Sequence, residues 1–470
     1  MRIINRCCGS LLLLGFLIAA GTFCCSQTLL SPGDKAKIDI SVRQALASTG
    51  VPSASIAIVK NGQLAYANAY GNARLQPELA AKPDMRYSIG SISKQFTAAA
   101  ILMLAEQGKL SLDDPVARFV PNLTRANDVT IRELLSQTSG YQDYWPQDYV
   151  MPGMLKPVTT EQILDRWARI PLDFDPGTKW QYSNTNYVIA GVIAEKAAGM
   201  PLLRFLNERV FTPLHMTSVV NTDQQPLSQS DPGGYLRYAL GPPRPAPKEG
   251  KGWLFAAGEL AMSASDLARW DISLIDQKLL KPASYHEMET EVRLKNGLGT
   301  LYGLGLDVTN DEGHRRISHT GEVSGFVANN VVFPDDRIAI VVLTNQDASS
   351  AARRIADDIR PLLFPSEDKD ADSRLQLARN IFNGLQHGNI DRDLFTPNCN
   401  AYFTDQALRD FAESLGPLGS PVDFKQTSYL ERGGMRFRGY TVKLGGKSVR
   451  VTTFEMPDGK LEQYLVIAVD

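Results

Sequence analysis

Two apolar hairpin patterns stand far apart in the chain, and any fold has to reconcile them. Residues 55–59 and 64–70 flank Asn61-Gly62, a dipeptide that readily takes the left-handed turn joining two antiparallel strands. Residues 326–333 and 338–343 flank Pro334-Asp-Asp-Arg337 in the same manner. A helix pattern precedes the first pair, with Ile38, Val42 and Leu46 four apart within residues 34–49, and another follows the second pair at 350–363. The pattern predicts an α+β fold in which an antiparallel sheet, made from both ends of one domain, is flanked by terminal helices. Between the ends the texture is helical and loop-rich, so an insertion from about 110 to 250 is expected, with a cleft between the two parts.

A chain of 470 residues exceeds one ordinary core, and a change of texture shows where a second begins. After the charged stretch Pro365-Ser-Glu-Asp-Lys-Asp-Ala-Asp372 comes a helix pattern of Leu375, Ala378, Ile381, Phe382 and Leu385, then a second near 406–414. At least three strands follow, separated by Gly433-Gly434, Gly445-Gly446 and Asp458-Gly459. The predicted organisation is a first domain over 30–363, a linker over 364–372 and a small α+β domain over 373–470. Helices followed by a meander resemble the cone-shaped domains of the NTF2-like type.

Residues 1–26 read as a secretory signal peptide, with Arg2 and Arg6 ahead of an apolar run over 11–20 that is too short to span a bilayer. Cys7, Cys8, Cys24 and Cys25 fall inside it, leaving Cys399 in the mature chain as an expected packed hydrophobe. The protein is expected to be exported, periplasmic or extracellular, and to reach a membrane only if lipidated at the signal-peptide cysteines. A formal net charge of −2 gives no basic surface of the kind nucleic acid needs.

Chemistry enters at Ser91-Ile-Ser-Lys94, followed by the apolar run that holds Phe96, Ala99, Ile101 and Leu102. Three residues apart at the mouth of a helix, Ser91 and Lys94 share a face. A serine hydroxyl becomes a nucleophile only if a base takes its proton and the oxyanion is stabilised. Lys94 is placed to be that base, provided burial or nearby positive charge lowers it from its reference value of ~10.4 toward ~7, at about 4 to 5 kcal/mol. Alone, the pair reads as a capping serine and a solvated lysine. Further on, Tyr182-Ser-Asn184 opens a helix predicted over 187–198, where Asn184 alone reads as a cap and Tyr182 as packing. Ser318-His-Thr-Gly321 leads into the second hairpin, with Gly321 expected to give a substrate room against the strand edge.

Ordered as Ser-x-x-Lys, Tyr-x-Asn and His-Thr-Gly, these motifs resemble the serine β-lactamases of the Tyr type (class C) and the related penicillin-recognising peptidases, D-aminopeptidases, DD-peptidases and esterases. The likeness covers about residues 33–363, supported by Leu134-Leu-Ser-Gln-Thr-Ser-Gly140 and Gly108-Lys-Leu-Ser-Leu-Asp-Asp-Pro115. It implies catalytic roles for Ser91, Lys94 and Tyr182, substrate contacts from Asn184, His319, Thr320 and Gly321, and an oxyanion hole from the backbone N–H groups of Ser91 and Glu322. It implies a small-molecule or peptide substrate and neither cofactor nor metal. Two positions depart from the usual pattern: His319 stands where most members have lysine, and Gln137 where histidine is common. A histidine is about one-tenth charged near pH 7.4, so activity on carboxylate-bearing substrates is expected to rise, relative to neutral ones, as pH falls toward about 6. A secreted hydrolase cleaving an amide or ester through an acyl-enzyme is the expectation; a non-catalytic sensor of the same fold is the alternative. No Gly-x-Ser-x-Gly elbow, His-Glu-x-x-His site or phosphate-binding glycine loop offers another mechanism.

Overall fold

The computed structural model describes residues 29–364 and 368–468. The signal-peptide segment with its four cysteines lies outside the described residues. The chain forms two compact units that divide between Leu363 and Phe364.

In the first unit, strands β1 (Ser53–Lys60), β2 (Gln63–Leu75) and β3 (Glu78–Ala80) come from its beginning. Strands β4 (Asp307–Asp311), β5 (His314–Val323), β6 (Phe326–Phe333) and β7 (Ile338–Thr344) come from its end. They make one antiparallel sheet in the order β3-β2-β1-β7-β6-β5-β4, so the two ends meet in the middle, with Ala54 opposite Thr344 and Val59 opposite Ala339. Asn61 and Gly62 both take positive φ, as their hairpin requires. Alternate side chains go to opposite faces. Ala57, Val59, Val341 and Leu343 join the large core beneath the insertion, while Ile56, Ile58, Ile340 and Val342 are equally buried on the other side. There the terminal helices α1 (Pro32–Thr49) and α6 (Ala351–Leu363) pack on each other and on the sheet.

The insertion reaches beyond 250. Helix α5 (Ala264–Asp276) and a short helix over Pro282–Met288 also lie between β3 and β4. At its centre is α2 (Ser93–Glu106), buried from Ser93 through Leu104. A helix apolar all round has to be surrounded, and Phe96 packs against Phe211 and Trp270 with ring centroids 5.5 and 4.7 Å away. Thr130 and Glu133 close both bonds of a capping box on α3 (Ile131–Leu135). That helix stops ahead of Ser139-Gly140 because Gln137 takes a positive φ that no helix accommodates. At α5 only half of a box forms: Ser263 accepts from the Asp266 N–H, but the Asp266 carboxylate accepts from the N–H and hydroxyl of Ser218 instead.

The second unit has α7 (Ala371–Gln386) and α8 (Asp405–Leu415) followed by four strands, β8 (Asp423–Arg432), β9 (Met435–Leu444), β10 (Lys447–Glu455) and β11 (Leu461–Ala468), paired in sequence order. Its core joins Ile381, Phe382 and Leu385 of α7 to Phe424, Tyr440, Val451 and Tyr464 of the sheet, with Cys399 buried among them. Arg438 is buried between Asp368, which accepts from it twice at 2.7 and 2.9 Å, and Glu455. Part of the charged run read as linker is therefore built into this unit. Among the described residues no helix is long and apolar enough to cross a membrane.

Candidate active site

Ser91 sits in a 3-10 turn, Gly90–Ile92, that runs directly into α2. The turn lies against β5 through two glycines. A Cβ on Gly90, whose φ is +51°, would meet the Glu322 nitrogen at 2.7 Å; a Cβ on Gly321 would meet the Ile89 carbonyl oxygen at 1.8 Å and the Ser91 nitrogen at 3.1 Å. Only glycine at both positions lets the backbones approach so closely. This corrects the expectation for Gly321: the room its missing side chain leaves is filled by the Ile89 carbonyl, and the residue is buried. The contact brings the Glu322 nitrogen against Gly90 and the Ser91 nitrogen against Gly321.

Lys94 is wholly buried. Its Nζ lies 2.9 Å from Ser91 Oγ, 2.8 Å from Asn184 Oδ1 and 2.9 Å from the Ala257 carbonyl oxygen. Burial brings the ammonium down to about 7, against the opposing pull of the Asp143 carboxylate. The ring of Tyr182 lies 4.9 Å from Nζ, and burial pushes the Tyr182 phenol well above its ordinary value although its hydrogen bond with Ser91 acts the other way. At neutral pH the lysine, and not the tyrosine, is the group able to be deprotonated.

The partners of Lys94 are themselves fixed by α2 and by α4 (Asn184–Ala198). The Thr97 hydroxyl donates to the Ala256 carbonyl at 2.7 Å, and Ser93 Oγ accepts from the Leu260 N–H at 3.2 Å, which pins the loop that presents the Ala257 carbonyl. Asn184 does not cap its helix; Ser183 holds that position, without a side-chain cap bond. Instead the Asp143 carboxylate accepts from the Asn184 backbone N–H at 2.9 Å and from its Nδ2 at 3.2 Å, which turns the amide oxygen toward Lys94. Gln137 holds the chain on both sides of Tyr182: its carbonyl accepts from the Gln181 N–H, and its Oε1 accepts from the Ser183 N–H and Asn186 Nδ2, at 3.0, 3.0 and 2.7 Å. The sequence had marked Gln137 only as a departure, and Asp143 not at all.

His319 is 3% exposed rather than a surface group. Its Nδ1 faces the Thr320 carbonyl oxygen at 2.5 Å, so Nδ1 carries the proton, and Nε2 accepts from the Tyr302 hydroxyl at 3.0 Å. Burial, reinforced by Lys94, holds the imidazolium down to about 3. The expected gain of charge near pH 6 is therefore overturned, and neither ring nitrogen is free for a substrate carboxylate. Ser91, Tyr182, Asn184, His319, Thr320 and Glu322 all line one cavity of about 700 Å³, with Lys94 beneath its floor.

Residues 38–363 match the Beta-lactamase family. The chain belongs to that family. The beta-lactamase family is one of serine hydrolases, and the antiparallel sheet with its helical insertion is the fold of this group. Among its relatives is penicillin-binding protein 4* of Bacillus subtilis, 30% identical over 307 residues, which are 62% of this chain and 68% of that protein. Protein flp of Staphylococcus aureus strain N315 is 30% identical over 332 residues, 68% of this chain and 64% of that one. The chain thus spans about two thirds of the length of these curated relatives. A D-stereospecific amidohydrolase from Streptomyces sp. superposes with a TM-score of 0.59 at 26% identity, covering 68% of this chain and 97% of that one. An octameric penicillin-binding protein homologue from Pyrococcus abyssi superposes at 0.61 and 22%, covering 92% and 100%, a likeness of fold alone.

Proposed function

We propose that this beta-lactamase family member is an exported hydrolase that cleaves an amide or ester through an acyl-enzyme on Ser91. One observation carries the reading: a wholly buried lysine, held near neutrality, touches the serine hydroxyl at the floor of a cavity large enough for a peptide-sized ligand. Neutral Lys94 takes the Ser91 proton as Oγ bonds to the acyl carbon, and the backbone N–H groups of Ser91 and Glu322 hold the resulting oxyanion. Tyr182, still protonated, gives its proton to the departing nitrogen or oxygen and is reprotonated from Lys94. Water then attacks the ester on Ser91 with Lys94 again as base, and the acid product leaves with the serine restored. Asn184 keeps Lys94 in line, while Thr320 and the edge of His319 border the substrate.

A fluorophosphonate should phosphonylate Ser91, located by mass spectrometry of the folded full-length chain, and Ser91→Ala should abolish both labelling and turnover of p-nitrophenyl esters. Turnover that survives Ser91→Ala would place the nucleophile elsewhere and end this reading. Independence of the two units is part of the proposal, so a chain ending near Phe364 should keep esterase activity.

A further inference from the structure

One wall of the cavity is equipped beyond what acyl transfer needs. Asp307, the first residue of β4, lines it together with Trp180, Tyr182 and Tyr302. Among the described residues its carboxylate has neither a hydrogen bond nor an ion pair. Burial holds its acid form up to about 6; Arg316, two residues along the β4–β5 ladder from the residue facing Asp307, pulls the other way without reaching ion-pair distance. Asp307 pairs with Tyr302 across an isolated β-bridge, and the ring of Tyr302 lies 5.8 Å from that of Trp180, an indole 40% exposed. A tryptophan left open at a cavity wall forgoes burial that its large apolar surface would otherwise obtain.

A carboxylate without a partner and an open aromatic face lining one cavity are the combination that takes an organic cation, one supplying charge and the other its quadrupole. The rest of the lining agrees. Asp148, Glu322 and Asp347 also border the cavity, no lysine or arginine among the described residues does, and His319 is neutral with both nitrogens engaged. We infer that Asp307, Trp180 and Tyr302 seat the ammonium group of the substrate, so that the preferred donors are amides or esters of amino compounds with a free amine, and donors with a free carboxylate are disfavoured. The inference rests on the acyl-enzyme reading above, because it assigns a substrate to the same cavity.

The test uses the full chain and three p-nitroanilides of phenylalanine, in both configurations: the free amine, its N-acetyl form and its N-succinyl form. For one configuration the free amine should exceed the N-acetyl form in kcat/KM by roughly tenfold near pH 7.5, with the N-succinyl form slowest. Asp307→Asn should collapse that ratio by about tenfold and Trp180→Leu by about threefold, each read as a ratio between substrates. Phenethylammonium should slow fluorophosphonate labelling of wild-type Ser91, and phenylacetate should not, a comparison that needs neither a variant nor turnover. The same ratio in wild type and Asp307→Asn, or equal protection by the two ligands, overturns the amine seat while a labelled Ser91 keeps the hydrolase reading. A folded protein whose Ser91 is never labelled overturns both.

Discussion

Replacing Asp143 by asparagine separates two things that carboxylate does for Lys94. The substituted amide keeps an oxygen for the Asn184 backbone N–H, now accepted by Asp143 at 2.9 Å, so the shape of the site is retained. What is lost is a charge. Lys94 Nζ is 2.8 Å from Asn184 Oδ1, and Asn184 Nδ2 is 3.2 Å from Asp143, which sets the ions on the order of 7 Å apart. At an effective dielectric constant of ~20 that is about 2 kcal/mol favouring the charged lysine, or roughly 1.5 pH units. Burial opposes the charged form of Asp143, and a displacement of about one pH unit is the working value. The sign follows from the role of the base. Lys94 acts when neutral, so activity is present above its value of about 7 and is lost as pH falls through it. Removing a negative neighbour lowers that value. The acid limb of kcat/KM for a neutral p-nitrophenyl ester should therefore move down by about one pH unit in Asp143→Asn. Asp143→Ala should move it similarly and lower the plateau at every pH as well, because nothing then stops the Asn184 amide from turning. A limb that stays in place, with the plateau alone reduced, would show that Asp143 only holds structure and that the electrostatic reasoning is wrong.

Other outcomes follow from single contacts. Because His319 is held at about 3, it adds nothing to the pH dependence of the kcat/KM ratio of a carboxylate-bearing to a neutral substrate; any rise of that ratio as pH falls from about 8 to 6 should come from Asp307 and be absent in Asp307→Asn, measured with matched pairs. His319→Lys buries a second cation near Lys94 and removes the acceptor for the Tyr302 hydroxyl; the thermal midpoint should fall by several degrees, and the acid limb should move to lower pH. Gly321→Ala drives a methyl group into the Ile89 carbonyl; a loss of about 1–3 kcal/mol in denaturant unfolding and a larger loss of kcat are expected together, since the same contact places the Ser91 and Glu322 amides. Arg438→Met leaves Asp368 buried without its cation, while Glu455 keeps Arg374 at 2.7 Å, and should destabilise the second unit by about 3–5 kcal/mol, with esterase activity of the first unit unchanged.

What the sequence disclosed and what it hid divide along a physical line. Both hairpins, the terminal helices and the Thr130 capping box are local patterns, in which the residues that decide the structure lie within a few positions of one another. Ser91 and Lys94 are local too, and so are the turn and helix that carry them. His319 misled because its neighbours along the chain do not tell of Tyr302, which folds over it from a loop without apolar periodicity. Asp143 was invisible for the same reason: it acquires a role only when its loop meets the start of α4, forty-one positions away. The box at Ser263 stays half closed because Ser218, far off in sequence, takes the carboxylate that would have completed it. Gly321 was rightly singled out as a place of close approach, but only the fold shows that backbone and not ligand approaches there.

The meeting of β1 and β7 at the centre of the sheet has a consequence in time. The ladder from Ala54–Thr344 to Val59–Ala339 joins segments separated by most of the first unit, and the turn bearing Ser91 lies within that separation. As the chain emerges in order, β1 can find β2 at once but must wait for β7, so a nascent chain carries an apolar strand edge without its partner for most of its length. Closing so large a loop is slow, in the range of milliseconds to seconds or longer for such topologies. Stopping the chain before about residue 344 leaves every catalytic side chain present and the sheet beneath them unsealed. Such products should be recognised by chaperones and proteases rather than by substrate.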